Sequence, residues 1–263
     1  SITNVVSSIH IFTDDHIRTS GANNFQILTE QIPNLNWAGG TSRPRYFQIR
    51  GIGERSHYFG EGPPNFSVGF VMDDMDFSGL GMIGNLYDLN QIEIFRGPQS
   101  SVYGANALAG LISLKSNDPI GKSEIGISAS KGSDNHLGIN NYFNFKAIDG
   151  LNIRVSGSYN YIDGFRENLS RNISNTNKRE EIFSRLKLKF NSNKKMNFLA
   201  TFIYSELDNG YDAWAPNNNS DFKTYSDDKG IDSQTSYGYS LRTNFNGSYN
   251  LTFITSFTKT DLE

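Results

Sequence analysis

Acidic residues form the densest cluster of reactive groups in the first half of the sequence. Asp73, Asp74 and Asp76 lie within one tetrapeptide, so a calcium site and a carboxylate pair for glycoside hydrolysis are both possible interpretations. The spacing does not match an EF-hand loop, and adjacent residues of a strand point to opposite faces. The sequence therefore favours a turn whose carboxylates face solvent.

Other groups that support catalysis in proteins do not form recognisable motifs here. The four histidines show no metal-ligand spacing: His10, His16, His57 and His136. The segment 51–53 (GIG) lacks the third glycine of a dinucleotide-binding loop, and no phosphate-loop lysine is present. The absence of cysteine excludes a cysteine nucleophile, a thiolate zinc site and a disulfide scaffold. We therefore expect no enzymatic activity, no catalytic residue, no bound metal and no cofactor.

The composition is typical of a β-protein with aromatic strands and polar loops. Only 37% of the 263 residues are hydrophobic, yet 13% are aromatic and 25 are glycine. The net charge of −3 gives no basic footprint, which argues against a nucleic-acid partner. No run of about 18 apolar residues exists, which excludes a transmembrane helix. Transmembrane strands remain possible, because each needs only about 10 residues and one apolar face.

The sequence changes character near Pro119. Before this residue it predicts a small α+β domain, with helices at 14–21 and 24–31 and a loop at 34–45. After it, apolar and polar residues alternate with a period of two and no helix is predicted. Seven strands are expected, centred near residues 127, 142, 155, 186, 201, 240 and 254. A soluble antiparallel sheet with one solvent-exposed face shows the same alternation with a period of two, so the alternation alone does not identify a membrane protein.

The lengths of the connections between these strands give an independent indication. Three connections are short turns: 148–150, 191–195 and 246–247. They alternate with the connections 132–135, 163–180 and 207–234, of which the last two are long and polar. Outer-membrane barrels have short turns at one end and longer loops at the other, so the pattern favours a transmembrane barrel.

Aromatic residues near the strand ends are placed as membrane-interface residues are in such barrels. The tyrosines concerned are Tyr159, Tyr161, Tyr204, Tyr237 and Tyr249. The alternative interpretation is that they only reflect the β-propensity of tyrosine.

Four segments resemble the plug domain of TonB-dependent outer-membrane receptors. Residues 48–51 read QIRG, residues 71–74 read VMDD, residues 92–104 read IEIFRGPQSSVYG and residues 107–112 read ALAGLI. The resemblance implies an α+β plug domain at 1–119, followed at 120–263 by antiparallel transmembrane β-barrel strands. Plugged transporters have about 22 strands, so about seven imply an incomplete barrel in a truncated chain. No TonB box is recognisable at the start of the sequence.

The resemblance also implies roles for two arginines. Arg50 of QIRG and Arg96 of RGP match positions where this family pairs an arginine with carboxylates on the barrel wall. A guanidinium group suits such a plug–barrel lock because its planar fork can bind a carboxylate through two hydrogen bonds. By this analogy the partner carboxylates lie in later strands. The alternative is that either arginine is an ordinary solvated charge.

Ligand contacts are expected at the plug tips that face outward in this family. The candidate substrate-binding residues are Arg55, His57, Tyr58, Phe59, Phe77, Leu80 and Met82. Their mixture of cationic, aromatic and apolar groups suits an anionic, partly aromatic ligand such as a ferric chelate. Tyr211 and Trp214 in a later loop are further candidates. Any exposed loop can carry such residues, which is the simpler interpretation.

The expected function is active uptake of a scarce ligand across the outer membrane of a Gram-negative bacterium. A ferric siderophore is favoured, with cobalamin, haem and oligosaccharide as alternatives. Expected partners are the TonB-ExbB-ExbD energy-coupling complex and outer-membrane lipid. Two other possibilities stay open: a passive barrel without energy coupling, and a secreted β-rich adhesin or enzyme.

Overall fold

The chain folds into two compact units, which we describe separately. The computed structural model describes residues 8–39, 41–54, 66–79, 84–100, 105–192, 195–217 and 220–262. The first unit comprises residues 1–118 together with 239–242 and 253–258. The second comprises 119–238, 243–252 and 259–263.

A five-stranded sheet forms the framework of the first unit. Its strands are β1 (Ile9–Thr13), β4 (Val68–Met72), β5 (Met75–Asp76), β6 (Leu89–Phe95) and β7 (Gly110–Ser116), in the order β1-β6-β7-β4-β5. The β4 and β7 strands pair in parallel and the other neighbours are antiparallel. Every residue of β4 is buried, as expected for a strand covered on both faces.

Two short helices precede most of this sheet, close to the predicted positions. Helix α1 spans Asp14–Thr19, and its preceding residue Thr13 accepts a hydrogen bond from the His16 backbone amide. Helix α2 spans Phe25–Thr29, and Asn24 caps it in the same way. Within the described part of the chain, no helix is long and apolar enough to cross a membrane.

The prediction of a loop at 34–45 was wrong for residues 35–38. Strand β2 (Leu35–Ala38) pairs antiparallel with β3 (Tyr46–Ile49) in a separate two-stranded sheet. Only Leu35 of β2 is buried, so the strand has almost no apolar alternation from which to recognise it. Its backbone partner, not its own sequence pattern, makes it a strand.

Aromatic rings fill the core of the first unit. Phe25, Phe47 and Phe70 are no more than 4% exposed. The Phe25 ring meets Phe47 and Phe70 edge-on at centroid distances of 5.7 and 5.8 Å, and Phe47 stacks on Phe70 at 6.1 Å. Each such ring buries a large apolar area, and the pair geometries add favourable quadrupole contacts.

A seven-stranded sheet dominates the rest of the chain. Its strands are β8 (Glu124–Lys131), β9 (Leu137–Ile148), β10 (Leu151–Ile162), β13 (Arg179–Asn191), β14 (Met196–Gly210), β16 (Ile231–Asn246) and β17 (Asn250–Leu262). The order is β17-β16-β14-β13-β10-β9-β8, and the pairs from β8 to β14 are antiparallel. Each predicted strand centre lies in one of these strands. The sheet has two free edges, so it is open.

The two long connections contain a small sheet that sequence reasoning missed. Strands β11 (Arg166–Asn168), β12 (Ile173–Thr176) and β15 (Lys223–Thr224) associate in the order β12-β11-β15. Strands this short show no periodicity in their sequence. The partner of β11 is β15, which lies in the other connection. The sequence therefore predicted only polar loops here.

Candidate functional site

The two proposed lock arginines both follow strands of the first unit. Arg50 is exposed, has a φ of 55° and donates its backbone amide to the Asn34 carbonyl at 3.0 Å. Arg96 is partly buried, and its Nε is buried without a hydrogen-bond partner. In the part of the chain that the structure describes, no ion pair joins either guanidinium to a carboxylate.

Gly110 lies between the residues that precede the two arginines. A Cβ atom added to Gly110 would lie 2.5 Å from Ile49 Cδ1 and 2.5 Å from the Phe95 carbonyl oxygen. Since the second neighbour is backbone, it cannot rotate away, and only glycine fits. The ends of β3 and β6 therefore come close together, which brings the two motifs to one region of the first unit.

His10 lies in a ring cluster close to Arg96. Its ring contacts Phe12 at 4.6 Å, and Phe12 contacts His16 at 4.9 Å. Burial lowers the pKa of His10, and the positive charge of Arg96 and the neighbouring His16 lower it further. A protonated His10 would thus be both desolvated and repelled.

We expect the first unit to lose stability as the pH falls through the ordinary histidine range. The folded-state pKa of His10 is below its value of 6.5 in the unfolded chain, so the unfolded chain binds the proton more readily. The protection factors of the β1 and β6 amides, which correct for the slowing of intrinsic exchange at lower pH, should therefore fall below about pH 6.5, and His10→Gln should reduce that fall. His136→Gln, in the second unit, is the control. An unchanged pH profile in His10→Gln would contradict the assignment.

The Asp73-Asp74 turn joins β4 to β5. Both residues have positive φ, 47° and 70°, as a two-residue type I′ hairpin turn requires. The turn prediction is thus correct, but the carboxylates do not simply face solvent. Asp73 accepts hydrogen bonds from the Ser116 amide at 3.0 Å and from Ser116 Oγ at 2.6 Å. Arg242, which belongs to the same unit, binds both carboxylate oxygens of Asp74, with Nε at 2.9 Å.

The third aspartate has structural partners as well. Asp76 accepts hydrogen bonds from the Ser78 amide at 2.9 Å and from Asn106 Nδ2 at 3.1 Å. No group of three or more acidic or histidine side chains in the described residues could hold a metal ion. The acidic tetrapeptide therefore organises a turn, and its arrangement does not resemble a calcium site or a catalytic pair.

The structure describes few of the candidate substrate-binding residues. Phe77 is 2% exposed, so contact with a ligand would require it to leave the core. The others lie outside the described residues: Arg55, His57, Tyr58, Phe59, Leu80 and Met82. Of the two later candidates, Tyr211 is half-buried and Trp214 is 59% exposed.

Sequence reasoning missed a buried polar cluster in the second unit. Asn168, Asp212 and Thr224 are 0, 3 and 0% exposed and are bonded to one another. These residues are far apart in the chain and belong to segments with no periodicity. The only available signal was the polar composition of the two loops, which does not indicate which residues meet.

Much of the large sheet has the reverse of the usual distribution of polar and apolar side chains, although Phe183, Ile203 and Leu207 are buried. On β14, Thr201 and Ser205 are at most 3% exposed, whereas Phe202 and Tyr204 are 46 and 40% exposed. The β16 strand repeats the pattern with Gln234, Ser236 and Ser240 buried and Tyr237, Tyr239 and Leu241 exposed. Water would penalise such an apolar surface, whereas hydrocarbon would favour it. This face therefore has the chemistry of a lipid-facing surface.

Tyrosine hydroxyls close to the long connections bind carboxylates at the strand ends. Tyr159 donates to Glu180 at 3.1 Å, and Tyr204 donates to Glu206 at 2.8 Å. Hydrogen bonds from Tyr161 and Asn135 lower the pKa of Asp163, which lies just outside β10. An apolar ring with a polar tip suits a membrane–water boundary. The placement of these three tyrosines at a membrane interface stays a prediction.

Comparison with known proteins relates the first part of the chain to a known domain. Residues 1–111 match the family model of the TonB-dependent receptor plug domain. Among solved structures, the chain is similar to the ferric yersiniabactin uptake receptor FyuA from Yersinia pestis, with a TM-score of 0.82 and 17% identity over 97% of this chain and 41% of the receptor.

Two further structures show the same fold. The closed form of the ferric-catecholate import receptor Fiu from E. coli has a TM-score of 0.75 at 18% identity, covering 99% of this chain and 38% of the receptor. The siderophore receptor PiuA from Acinetobacter baumannii has a TM-score of 0.75 at 15% identity, and the match covers 97% of this chain and 37% of the receptor. The chain thus spans about two fifths of the length of these receptors. Residues 1–111 match the plug domain of TonB-dependent receptors, and the chain shares the fold of these solved receptors over that region and the strands that follow it.

Proposed function

We propose that this chain is part of an outer-membrane receptor that imports a scarce ligand through TonB-dependent energy coupling. The observation that carries the proposal is a sheet on which many apolar side chains are exposed and many polar side chains are buried, following a segment that matches a plug domain. Residues 1–119 serve as the plug and residues 120–263 as the first strands of the barrel wall. The receptor functions in the outer membrane of a Gram-negative bacterium.

A ferric siderophore is the proposed ligand. Support comes from the receptors of similar fold, which are named for uptake of ferric yersiniabactin, of ferric catecholate and of siderophores. The cationic and aromatic residues at 55–59 are chemically suited to an anionic ferric chelate. Transport by this route requires no covalent step, so the protein is proposed to be a receptor and not an enzyme.

The proposed transport cycle uses the two arginines as a lock between plug and barrel wall. Support comes from Arg96, whose buried Nε has no acceptor among the described residues. An unsatisfied buried donor costs about 1–3 kcal/mol, so a carboxylate supplied by a later strand would be favourable there. Release of this lock would accompany the pull exerted by the TonB-ExbB-ExbD complex, the proposed energy-coupling partner.

Uptake of radioactive iron by the complete receptor tests the proposal. We expect cells that produce it as their only siderophore receptor to accumulate iron-55 from a ferric catecholate or from ferric yersiniabactin. Deletion of TonB should abolish accumulation and leave binding to whole cells intact, because binding at the outer face needs no energy. Cyanocobalamin, haem and maltooligosaccharide, supplied in parallel, test the alternative substrates.

The alternative functions predict different results. Uptake that persists without TonB would show a passive barrel and contradict energy coupling. Recovery of the protein in the culture medium instead of the outer-membrane fraction would favour a secreted adhesin or enzyme. TonB-dependent uptake of cobalamin, haem or oligosaccharide without accumulation of iron-55 from either ferric siderophore would retain energy coupling but reject the siderophore.

A further inference from the structure

Two long connections of the second unit fold onto each other. One, residues 163–178, joins β10 to β13, and the other, residues 211–230, joins β14 to β16. Strand β11 of the first pairs in parallel with β15 of the second. The Glu167 amide donates to the Phe222 carbonyl at 3.0 Å, and the Leu169 amide donates to the Thr224 carbonyl at 2.9 Å. We call these two connections together the loop body.

A buried carboxylate lies at the centre of the loop body. Asp212 is 3% exposed. Its Oδ2 accepts hydrogen bonds from Asn168 Nδ2 at 2.7 Å and from Thr224 Oγ1 at 2.9 Å, and its Oδ1 accepts one from Ser226 Oγ at 3.0 Å. The Asp212 amide donates to Asn177 Oδ1 at 2.6 Å. Donors and acceptors from both connections therefore meet at this one residue.

The hydrogen bonds of Asn168 fix its orientation. Its Nδ2 donates to the Ser226 carbonyl at 2.9 Å as well as to Asp212, and its Oδ1 accepts from the Arg171 amide at 2.9 Å. Asn168 is 0% exposed, so water does not compete for these groups. The Asn168 side chain thus joins both connections. If Oδ1 and Nδ2 exchanged places, the NH2 group would face the Arg171 amide and Oδ1 would face the Asp212 carboxylate.

The charge of Asp212 makes this arrangement cooperative. No cationic side chain in the described residues forms an ion pair with it, and neutral donors from two connections stabilise the carboxylate instead. A buried charge is strongly unfavourable without such bonds. If either connection moves away, the carboxylate keeps only part of its donors, and the remaining arrangement is weakened. Opening of one connection therefore favours opening of the other.

The same arrangement positions an exposed aromatic pair. Phe165 of one connection and Phe222 of the other meet edge-on with ring centroids 5.5 Å apart, and they are 50 and 57% exposed. Phe222 has a φ of 56°, a conformation that bulky residues rarely adopt and that persists only where the surrounding structure enforces it. The neighbouring backbone bond from Glu167 supplies that constraint.

We propose that Asp212 is a positioning residue that couples the two connections into one opening unit, so that the Phe165–Phe222 pair exists only while both are closed. The coupling is independent of the transported ligand, and it would hold even if the proposed siderophore uptake were disproved. The role of Asp212 is to hold the two connections together, so that they form one surface although they are distant in sequence.

Hydrogen exchange of the complete protein, measured by mass spectrometry, tests the coupling. In Asp212→Asn, the negative charge is removed and one accepting oxygen becomes a donor, so the hydrogen bonds that remain from Asn168 and Thr224 are weaker. We expect the amides of 167–169 and those of 222–226 to exchange at least about tenfold faster, by similar factors. Asp228→Asn, at an exposed aspartate of the same connection, should leave both rates unchanged. Acceleration in only one connection, or in neither, would overturn the proposal.

An exchange of the two side chains provides the rescue. Asn168→Asp alone places two carboxylates against each other and should accelerate exchange in both connections. The double variant N168D/D212N restores one carboxylate and one amide at the same contact. We expect its exchange to be slower than that of either single variant, because the cross-connection bond forms again. Exchange in the double variant as fast as in the worse single variant would contradict a direct role for this bond.

Thr224→Val provides a milder test should Asp212→Asn prevent folding. It removes one donor to the carboxylate and keeps the shape of a buried side chain. Joint acceleration of both connections supports the coupling, whereas acceleration confined to 222–226 counts against it.

Discussion

Phe202→Arg is expected to destabilise the membrane-inserted receptor by about 2–4 kcal/mol, the cost of an arginine on the lipid face of a barrel near the middle of the bilayer. Phe202 lies on β14 and is 46% exposed. Its neighbours along the strand, Thr201 and Ile203, are buried, so the new side chain would stay on the exposed face. The measurement is reversible unfolding of the complete protein in lipid vesicles with a chemical denaturant.

Two variants of the same strand separate lipid exposure from other effects. Phe202→Leu keeps the face apolar and should cost much less than Phe202→Arg. Glu206→Arg lies four residues further on the same face, at an exposed position where a carboxylate is already accepted, and should cost at most about 1 kcal/mol. Equal destabilisation by Phe202→Arg and Glu206→Arg would show that the exposed face of β14 does not lie in hydrocarbon.

The sequence predicted the large sheet well because its signal is local. Each strand carries its own alternation of polar and apolar residues, and a period of two is visible without knowledge of the partner strand. Short turns such as 149–150 add their own signal, since Gly150 has a φ of 84° that favours glycine. The motifs of the plug were recognisable for a different reason, because 92–104 is a long segment of specific composition.

Features that depend on distant partners were not predictable. The turn at Asp73 was expected, but Ser116, which binds its carboxylate, lies more than forty residues away. Asn168 and Asp212 are similarly distant from each other. Strand β2 was missed because only its pairing with β3 makes it a strand. Phe77 was expected at an accessible tip, and no local pattern distinguishes such a residue from one that is 2% exposed.

The proposed lock differs from these cases. Arg50 and Arg96 were assigned from a resemblance, and the structure places the ends of β3 and β6 near Gly110. Their pairing with barrel carboxylates stays a prediction. The orphaned Nε of Arg96 explains why a partner would be stabilising.

Substitution of Asp73 separates two contributions to the stability of the plug turn. The residue has a φ of 47°, and its carboxylate binds both the amide and the hydroxyl of Ser116, which is 5% exposed. Alanine loses both advantages: the left-handed conformation costs about 1–2 kcal/mol without glycine, asparagine or aspartate, and stranded donors cost about 1–3 kcal/mol. We therefore expect Asp73→Ala to destabilise local pairing of β4 and β7 by about 2–5 kcal/mol.

Glycine and asparagine at this position should each restore one of the two contributions. Asp73→Gly accepts the positive φ but leaves Ser116 without the carboxylate, so it should be less harmful than alanine. Asp73→Asn keeps one accepting oxygen and tolerates the same φ, so we expect the smallest loss, about 1 kcal/mol. Native-state hydrogen exchange of the β7 amides in the complete protein measures these losses, with the exposed Asp15→Ala in α1 as control. Equal destabilisation by Asp73→Gly and Asp73→Asn would show that the hydrogen bonds to Ser116 contribute nothing. Equal destabilisation by Asp73→Ala and Asp73→Gly would show that the positive φ carries no cost.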